Sequence, residues 1–419
     1  MKPIRKIRNV QLTKAFKEFF DSEKSSAIIL VACTALSLVL ANVIGKSYPD
    51  FFLKTYLGLE GVLKLSIEHW VNDALMAVFF LLIGLELERE LYAGELSNVK
   101  NALLPIVGAI GGLALPALIH FGLNAGTPTQ AGIGIPMATD IAFAIGVLAL
   151  LGSRVPASLK VFLVALAVMD DLGAIIVIAV FYTAELSLTY LGLALAAFFV
   201  MVMLNRLRIM HLLPYLIGGL IMWFCMLKSG VHATIAGVLL AFAIPFTHKR
   251  DDENSPSYRL EHFLHRPVAF FILPIFALVN TGIVIGGDWA ASLASSNSLG
   301  IILGLVVGKP IGITLIAFLA VTAGICRLPL DLNWKHVFGA GLLGGIGFTM
   351  SIFITNLAFV GGEPGFVAST VNASKMAILL ASLTAGTAGF IWLKLLGEPN
   401  VGDVDMDTMD FEDGNEAED

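Results

Sequence analysis

The chain has 419 residues, of which 57% are hydrophobic and only 14% charged, with a formal net charge of −6. A mean hydropathy of +0.86 excludes an ordinary soluble domain and implies a polytopic membrane protein. Cys33 and Cys225 lie in apolar runs apart from Cys326, so neither a disulfide framework nor a thiolate metal site is expected.

Apolar stretches able to cross a bilayer, which takes about 20 helical residues, recur from Ser25 onward. Twelve are predicted, near 25–44, 70–92, 102–123, 129–150, 157–182, 189–205, 212–227, 230–247, 263–286, 299–322, 335–357 and 366–395. The run at 212–227 is short for a crossing. The basic start leads into a first run that is too long for a signal peptide and lacks a small-residue cleavage site, so it is expected to remain as the first helix.

Lys and Arg gather in cytoplasmic loops. The amino-terminal segment, 1–24, holds Lys2, Arg5, Lys6, Arg8, Lys14, Lys17 and Lys24. An even number of spans then puts both termini in the cytoplasm. The same side receives Arg154, Lys160, Arg206, Arg208, Lys249, Arg250, Arg259, Arg266, Arg327 and Lys335, against Lys46, Lys54, Lys64 and Lys228 outside. After the spanning domain, 25–396, comes a tail, 397–419. Its last nineteen residues, Val401 to Asp419, carry nine acids and no Lys or Arg; without them the net charge would be +3 rather than −6. Such a block is expected to be a solvated, disordered tail.

Two spans carry helix breakers at mid-membrane. The fourth reads Gly132-Ile133-Gly134-Ile135-Pro136-Met137-Ala138-Thr139-Asp140, and the eleventh Gly344-Gly345-Ile346-Gly347-Phe348-Thr349-Met350-Ser351. Pro136 removes an amide donor and clashes with the preceding turn. Broken segments at corresponding positions of two halves point to an inverted-repeat transporter, although kinked continuous helices would also use such glycines. An interrupted helix exposes partial charges at its new ends. Asp140 beside the first break and Lys309, within Gly304-Leu305-Val306-Val307-Gly308-Lys309-Pro310 of the tenth span, are suited to compensate them.

Asp170 and Asp171 stand alone as charges in the run Leu159 to Tyr182. Each ionised Asp at a helix centre costs about 2.5–3.5 kcal/mol on insertion scales, so an adjacent pair reads as an ion or proton site. Sodium is a hard cation that takes oxygen ligands; Asp170, Asp171, Thr139 and nearby unwound carbonyls would supply them. The same carboxylates bind protons, so competition between the two cations at one site suffices for exchange. Consecutive helical residues point about 100° apart, so the two acids are expected to have different partners. Asp171 is assigned as principal sodium ligand and proton carrier, and Asp170 as a ligand or a partner of Lys309. Lys309 is then either a fixed counter-charge or a second proton carrier.

Glu86, Arg89 and Glu90 end the second span and Glu261, His262 and His265 lead into the ninth, both on the cytoplasmic side. They form either an ordinary charged interface or a pH-responsive cluster, histidine being the side chain that titrates nearest physiological pH. An aspartyl protease would need its two acids on facing helices, and a symporter would need more polar mid-membrane positions than this chain offers. A channel would not need a titratable pair. No nucleotide loop, metal cluster or nucleophile triad is legible, so an ion gradient is the expected energy source and no cofactor or enzymatic activity is predicted.

Several motifs resemble the NhaA family of bacterial sodium/proton antiporters. They are Asn72-Asp73-Ala74-Leu75-Met76, Gly84-Leu85-Glu86, Ala138-Thr139-Asp140-Ile141-Ala142-Phe143, Asp170-Asp171-Leu172-Gly173-Ala174, Lys228-Ser229-Gly230-Val231-His232-Ala233-Thr234, Leu260-Glu261-His262, Gly308-Lys309-Pro310 and Gly345-Ile346-Gly347-Phe348-Thr349-Met350. They occur in order between about Ser25 and Leu396. The resemblance implies an all-α integral membrane protein of twelve helices, with inverted repeats at about 102–182 and 299–395 and discontinuous spans four and eleven crossing. It also implies electrogenic, pH-regulated exchange of sodium, and lithium, for protons by alternating access in the bacterial inner membrane. Asp73 would line the ion path, and Glu86, Arg89, Glu90, Glu261, His262, His265 and His232 would fall in the pH-sensing set. The expected partners are membrane lipid and a second copy, joined through about 44–60, with no nucleic acid. The amino-terminal segment, where only Glu23 loosely matches a family acid, and the acidic tail depart from the family pattern.

Overall fold

The computed structural model describes residues 14–60, 63–92, 94, 99–182, 186–247, 255–287, 289–360 and 363–396. The basic residues Lys2 to Arg8, the loop pair Lys249 and Arg250, and the acidic tail lie outside the described residues. In chain order the first elements are α1 (Lys14–Ile44), α2 (Ser47–Lys54), and an antiparallel hairpin of β1 (Tyr56–Leu59) and β2 (Leu63–Ser66). The long helix α3 (Ile67–Tyr92) includes a π turn over Trp70–Leu75. Then come α4 (Val99–Asn124), a 3-10 segment (Gln130–Met137), α5 (Ile141–Leu150), α6 (Ala157–Phe181), α7 (Leu188–Arg206), α8 (Leu212–Ser229) and α9 (Ile235–Ala243). The second half has α10 (Pro256–Asn280), α11 (Trp289–Leu293), α12 (Ser296–Thr322), α13 (Trp334–Gly344), α14 (Phe348–Ala358) and α15 (Pro364–Leu396).

Ten of these stretches are long and apolar enough to cross a bilayer, and α13 with α14, bent by 49°, make an eleventh. The expected span at 230–247 differs. Its first residues form a turn in which Gly230 takes a left-handed φ of 84°, leaving α9 only nine residues long, about 14 Å of helix. It packs on α3, where a Cβ on Gly237 would lie 2.1 Å from the Ala77 carbonyl oxygen. The ninth span also starts earlier than expected: Pro256 opens α10, so Glu261, His262 and His265 lie within the helix rather than ahead of it. Proline at the first helical position lacks only an amide that would have no partner there, and a π turn at Val268–Ile272 joins the polar opening to the apolar remainder. The stretch after the first span is folded as α2 and the hairpin, which adds a small two-stranded sheet to the expected all-α architecture.

The exposed faces are themselves apolar, with Leu188 77%, Phe199 67%, Leu220 65% and Leu383 69% exposed, which in water would be a liability and in lipid is the required solvent match. Inside, Phe353 of α14 sits 5.4 Å from Phe80 of α3 and 6.5 Å from Phe276 of α10. The helices α4 and α12 touch backbone to backbone. A Cβ on Gly111 would fall 2.1 Å from the Gly312 carbonyl oxygen, and one on Gly312 would fall 2.2 Å from that of Gly111. That approach holds α12 against the helix packed on α6, and so brings Lys309 towards Asp170.

Candidate ion site

Both broken spans unwind at the same depth. The chain leaves its 3-10 turns at Met137, runs extended through Ala138–Asp140, and re-enters helix at Ile141; α13 ends at Gly344 and α14 begins at Phe348. The two breaks pair with each other. Asp140 donates its amide to the Ile346 carbonyl at 2.6 Å, and the Ser351 hydroxyl donates to the Ile135 carbonyl at 2.7 Å. Helix ends that would otherwise expose donors and acceptors to lipid therefore satisfy one another. The Asp140 carboxylate accepts from the Phe143 amide at 3.1 Å and from the Thr349 amide at 3.0 Å. One negative charge thus caps the amino ends of α5 and α14 together, where helix dipoles favour an anion.

Thr139, Asp170, Asp171 and Lys309 meet beside this crossing, each at most 1% exposed. Lys309 is ion-paired with Asp170 Oδ2 and donates to Thr139 Oγ1 at 2.9 Å. Thr139 Oγ1 lies 2.6 Å from Asp170 Oδ2 and 2.8 Å from the Gly344 carbonyl oxygen. A hydroxyl has a single proton, so Thr139 donates to one of these oxygens at a time. Lys309 reaches the carboxyl end of α13 through Thr139, which lies against the Gly344 carbonyl. Its height is set by the π turn Gly304–Gly308 immediately before it. Pro310 has no amide for the carbonyl four residues back, which explains a widened turn here.

Asp171 stands differently. Neither of its carboxylate oxygens, nor Asp170 Oδ1, has a hydrogen-bond partner among the described residues, although all three are buried. Buried polar atoms are nearly always paired, so three such oxygens on adjacent residues form a donor set for a hard cation or a proton.

The remaining candidates divide between the two ends of the bundle. At the end opposite the hairpin, Arg89 pairs with Glu261 at 2.6 Å and approaches Glu90 at 3.6 Å. His265 Nδ1 stands 3.9 Å from Glu86, and His262 stacks on Tyr258 with ring centroids 6.3 Å apart. This brings Glu86, Arg89, Glu90, Glu261 and His265 into one cluster. His232 does not join it. It sits at the hairpin end, with Nε2 2.7 Å from the Tyr182 carbonyl oxygen. Asp73 lies in the π turn of α3 at that same end, its carbonyl accepting from Trp223 Nε1 at 3.0 Å. Two features escaped the sequence reading. Glu88, 5% exposed, accepts from the Ser257 hydroxyl at 3.1 Å; acids at 86, 88 and 90 were a visible signal that one of them turns inward. An amide chain links Asn72, Asn280 and Asn356 at 2.9 and 2.7 Å, joining α3, α10 and α14.

Residues 17–393 match the sequence model of the Na+/H+ antiporter 1 family. The chain belongs to this family. Among its relatives, a protein of Dechloromonas aromatica named Na+/H+ antiporter NhaA is 69% identical over 385 residues, 91% of this chain and 96% of the relative. Proteins of the same name from Flavobacterium psychrophilum and Vibrio campbellii are 58% and 48% identical, covering 92% and 91% of this chain and 97% and 95% of their own lengths. Membership of an antiporter family indicates a transporter rather than an enzyme, and the ten or eleven apolar crossings describe a multi-pass bacterial membrane protein. Within that family, the buried acids, lysine and threonine are this chain's candidate ion site.

Proposed function

We propose that the protein exchanges sodium, and lithium, for protons by alternating access, the cations competing for Asp171 and Asp170. The observation that carries this reading is the unpartnered pair of Asp171 oxygens beside the Lys309–Asp170–Thr139 group. A sodium ion held by Asp171, Asp170 Oδ1 and a Thr139 lone pair would displace the proton carried by Asp171 and withdraw Asp170 from Lys309, which would then release its own proton. A second proton leaving with each sodium bound makes the cycle electrogenic. A site that has lost both protons and holds no sodium leaves two bare buried carboxylates, which are expensive to move through the membrane centre, and this discourages uncoupled return. The crossing breaks at Ala138–Asp140 and Gly345–Gly347, in spans of corresponding position, are consistent with inverted repeats that rock about the site.

In the same reading α9, though short, returns the chain across the membrane as a twelfth crossing, so the Glu86–Arg89–Glu261–His265 cluster faces the cytoplasm, where both termini lie, and adjusts activity to pH, while Asp73 lines the route from the other side. Two copies pair in the inner membrane through the hairpin, whose first strand is exposed at Tyr56, Leu57 and Leu59; an open apolar strand edge invites pairing.

The test is sodium addition to inside-out vesicles with an acid interior, following internal pH. Sodium-driven alkalinisation in the wild type, its loss in Asp171→Asn, and inertness of potassium in both are expected. Absence of proton movement at alkaline pH would end the antiport reading in favour of sodium-coupled solute uptake. The assay repeated over about pH 6 to 9 with Glu261, His262 and His265 replaced should give a flattened profile; an unchanged one would reduce the cluster to a structural interface.

A further inference from the structure

The 3-10 segment that delivers Thr139 and Asp140 to the site is held by a side chain outside the ion-binding group. Tyr182, the residue that ends α6, donates its hydroxyl to the Ala131 carbonyl at 2.7 Å and accepts from the Gly134 amide at 3.0 Å. These are the two groups that a 3-10 turn pairs with each other, so the hydroxyl is seated in the turn itself. Gly134 is cut to fit it: a Cβ there would lie 2.6 Å from the hydroxyl oxygen and 3.2 Å from the ring. The Tyr182 backbone is fixed in turn by His232, whose Nε2 must carry the proton because a carbonyl only accepts. A rigid helix, α6, therefore bears Asp170 and Asp171 in its middle and grips the neighbouring broken span with its end.

We infer that Tyr182 is a positioning residue of the ion site, its hydroxyl setting where the Ala138–Asp140 stretch, and so the Thr139 oxygen, meets Asp170 and the transported cation. This rests on the ion-exchange reading above. Tyr182 touches no transported ion in this account; it acts through Thr139, five residues beyond Gly134.

The experiment measures sodium KM and kcat in proteoliposomes for the wild type, Tyr182→Phe, Gly134→Ala and the double variant, alongside Tm. Tyr182→Phe, which removes two hydrogen bonds, should raise the sodium KM about 5- to 10-fold while kcat stays within about twofold. Gly134→Ala, which displaces the hydroxyl, should do the same. The double variant should be no worse than about twofold beyond the more severe single change, since both disrupt one contact. A wild-type KM in Tyr182→Phe with only a lowered Tm, or single effects that multiply in the double variant, would overturn the inference alone. Should Tyr182→Phe fail to accumulate, Gly134→Ala decides by itself: a wild-type KM there refutes the positioning role. A wild type that moves no protons in response to sodium would instead overturn the exchange reading, and this inference with it.

Discussion

Lys309 and Asp170 are both fully buried, and a buried ion pair is stable only while each charge keeps its partner. Removing one leaves the other uncompensated in low dielectric. In the exchange reading proposed above, that sensitivity suits a site whose charge state changes with every cycle. It also separates the two roles open to Lys309, because arginine keeps the positive charge but does not release its proton at physiological pH. If Lys309 carries a proton, Lys309→Arg should retain sodium-dependent proton exchange but lose its dependence on membrane voltage. This is read by comparing exchange rates in proteoliposomes with and without an imposed potassium diffusion potential. Voltage-driven exchange persisting in Lys309→Arg would reduce the lysine to a fixed counter-charge. The buried charges of the candidate site, Asp170, Asp171 and Lys309, stood out in the sequence because a charge inside an apolar run has few bland explanations. Glu88 and Tyr182 did not, because each stands near the end of a run, where a polar side chain can as easily face water; only packing against Ser257 and Gly134 decided their surroundings.

The two interrupted helices depend on each other for their polar groups. Asp140 serves the amino ends of both α5 and α14, and hydrogen bonds to a charged acceptor contribute about 1.5–3 kcal/mol each. Asp140→Ala should therefore lower stability by about 2–5 kcal/mol, seen as a fall in Tm in detergent. Asp140→Asn, which keeps an acceptor but not the charge, should fall between it and the wild type. A Tm unchanged in Asp140→Ala would mean that the helix ends find other partners. The breaks themselves could be read from Pro136 and the clustered glycines, since those residues interrupt helices for local reasons. Their mutual contact could not, because a hydrogen bond between Asp140 and Ile346 spans 206 positions of chain and follows from how α4, α6, α12 and α15 pack around it.

Among the described residues, apolar side chains make up the outer faces, and the charged groups described above gather at the crossing and at the cluster opposite the hairpin. The hairpin is the one sheet among the described residues and leaves the first strand open. Leu57→Asp together with Leu59→Asp should weaken pairing of two copies, shifting the antiporter towards monomer by light scattering in detergent while each chain keeps its fold. A dimer that survives these changes would place the contact elsewhere. Residue order alone was enough for the membrane setting, nearly every crossing, the two breaks and the acids buried beside them, because these follow from the local cost of putting a charge, a proline or a glycine into hydrocarbon. It was not enough for the shortened α9 or the earlier start of α10, which depend on a glycine turn and on a proline-opened amphipathic stretch finding cover from α3. It left Asp170 as either an ion ligand or the partner of Lys309, and only the tertiary structure shows that pair formed. Both acids satisfy the same local rules; the rotation of α6 and the backbone contact between Gly111 and Gly312 bring the lysine to Asp170 and leave both carboxylate oxygens of Asp171 without a hydrogen-bond partner among the described residues.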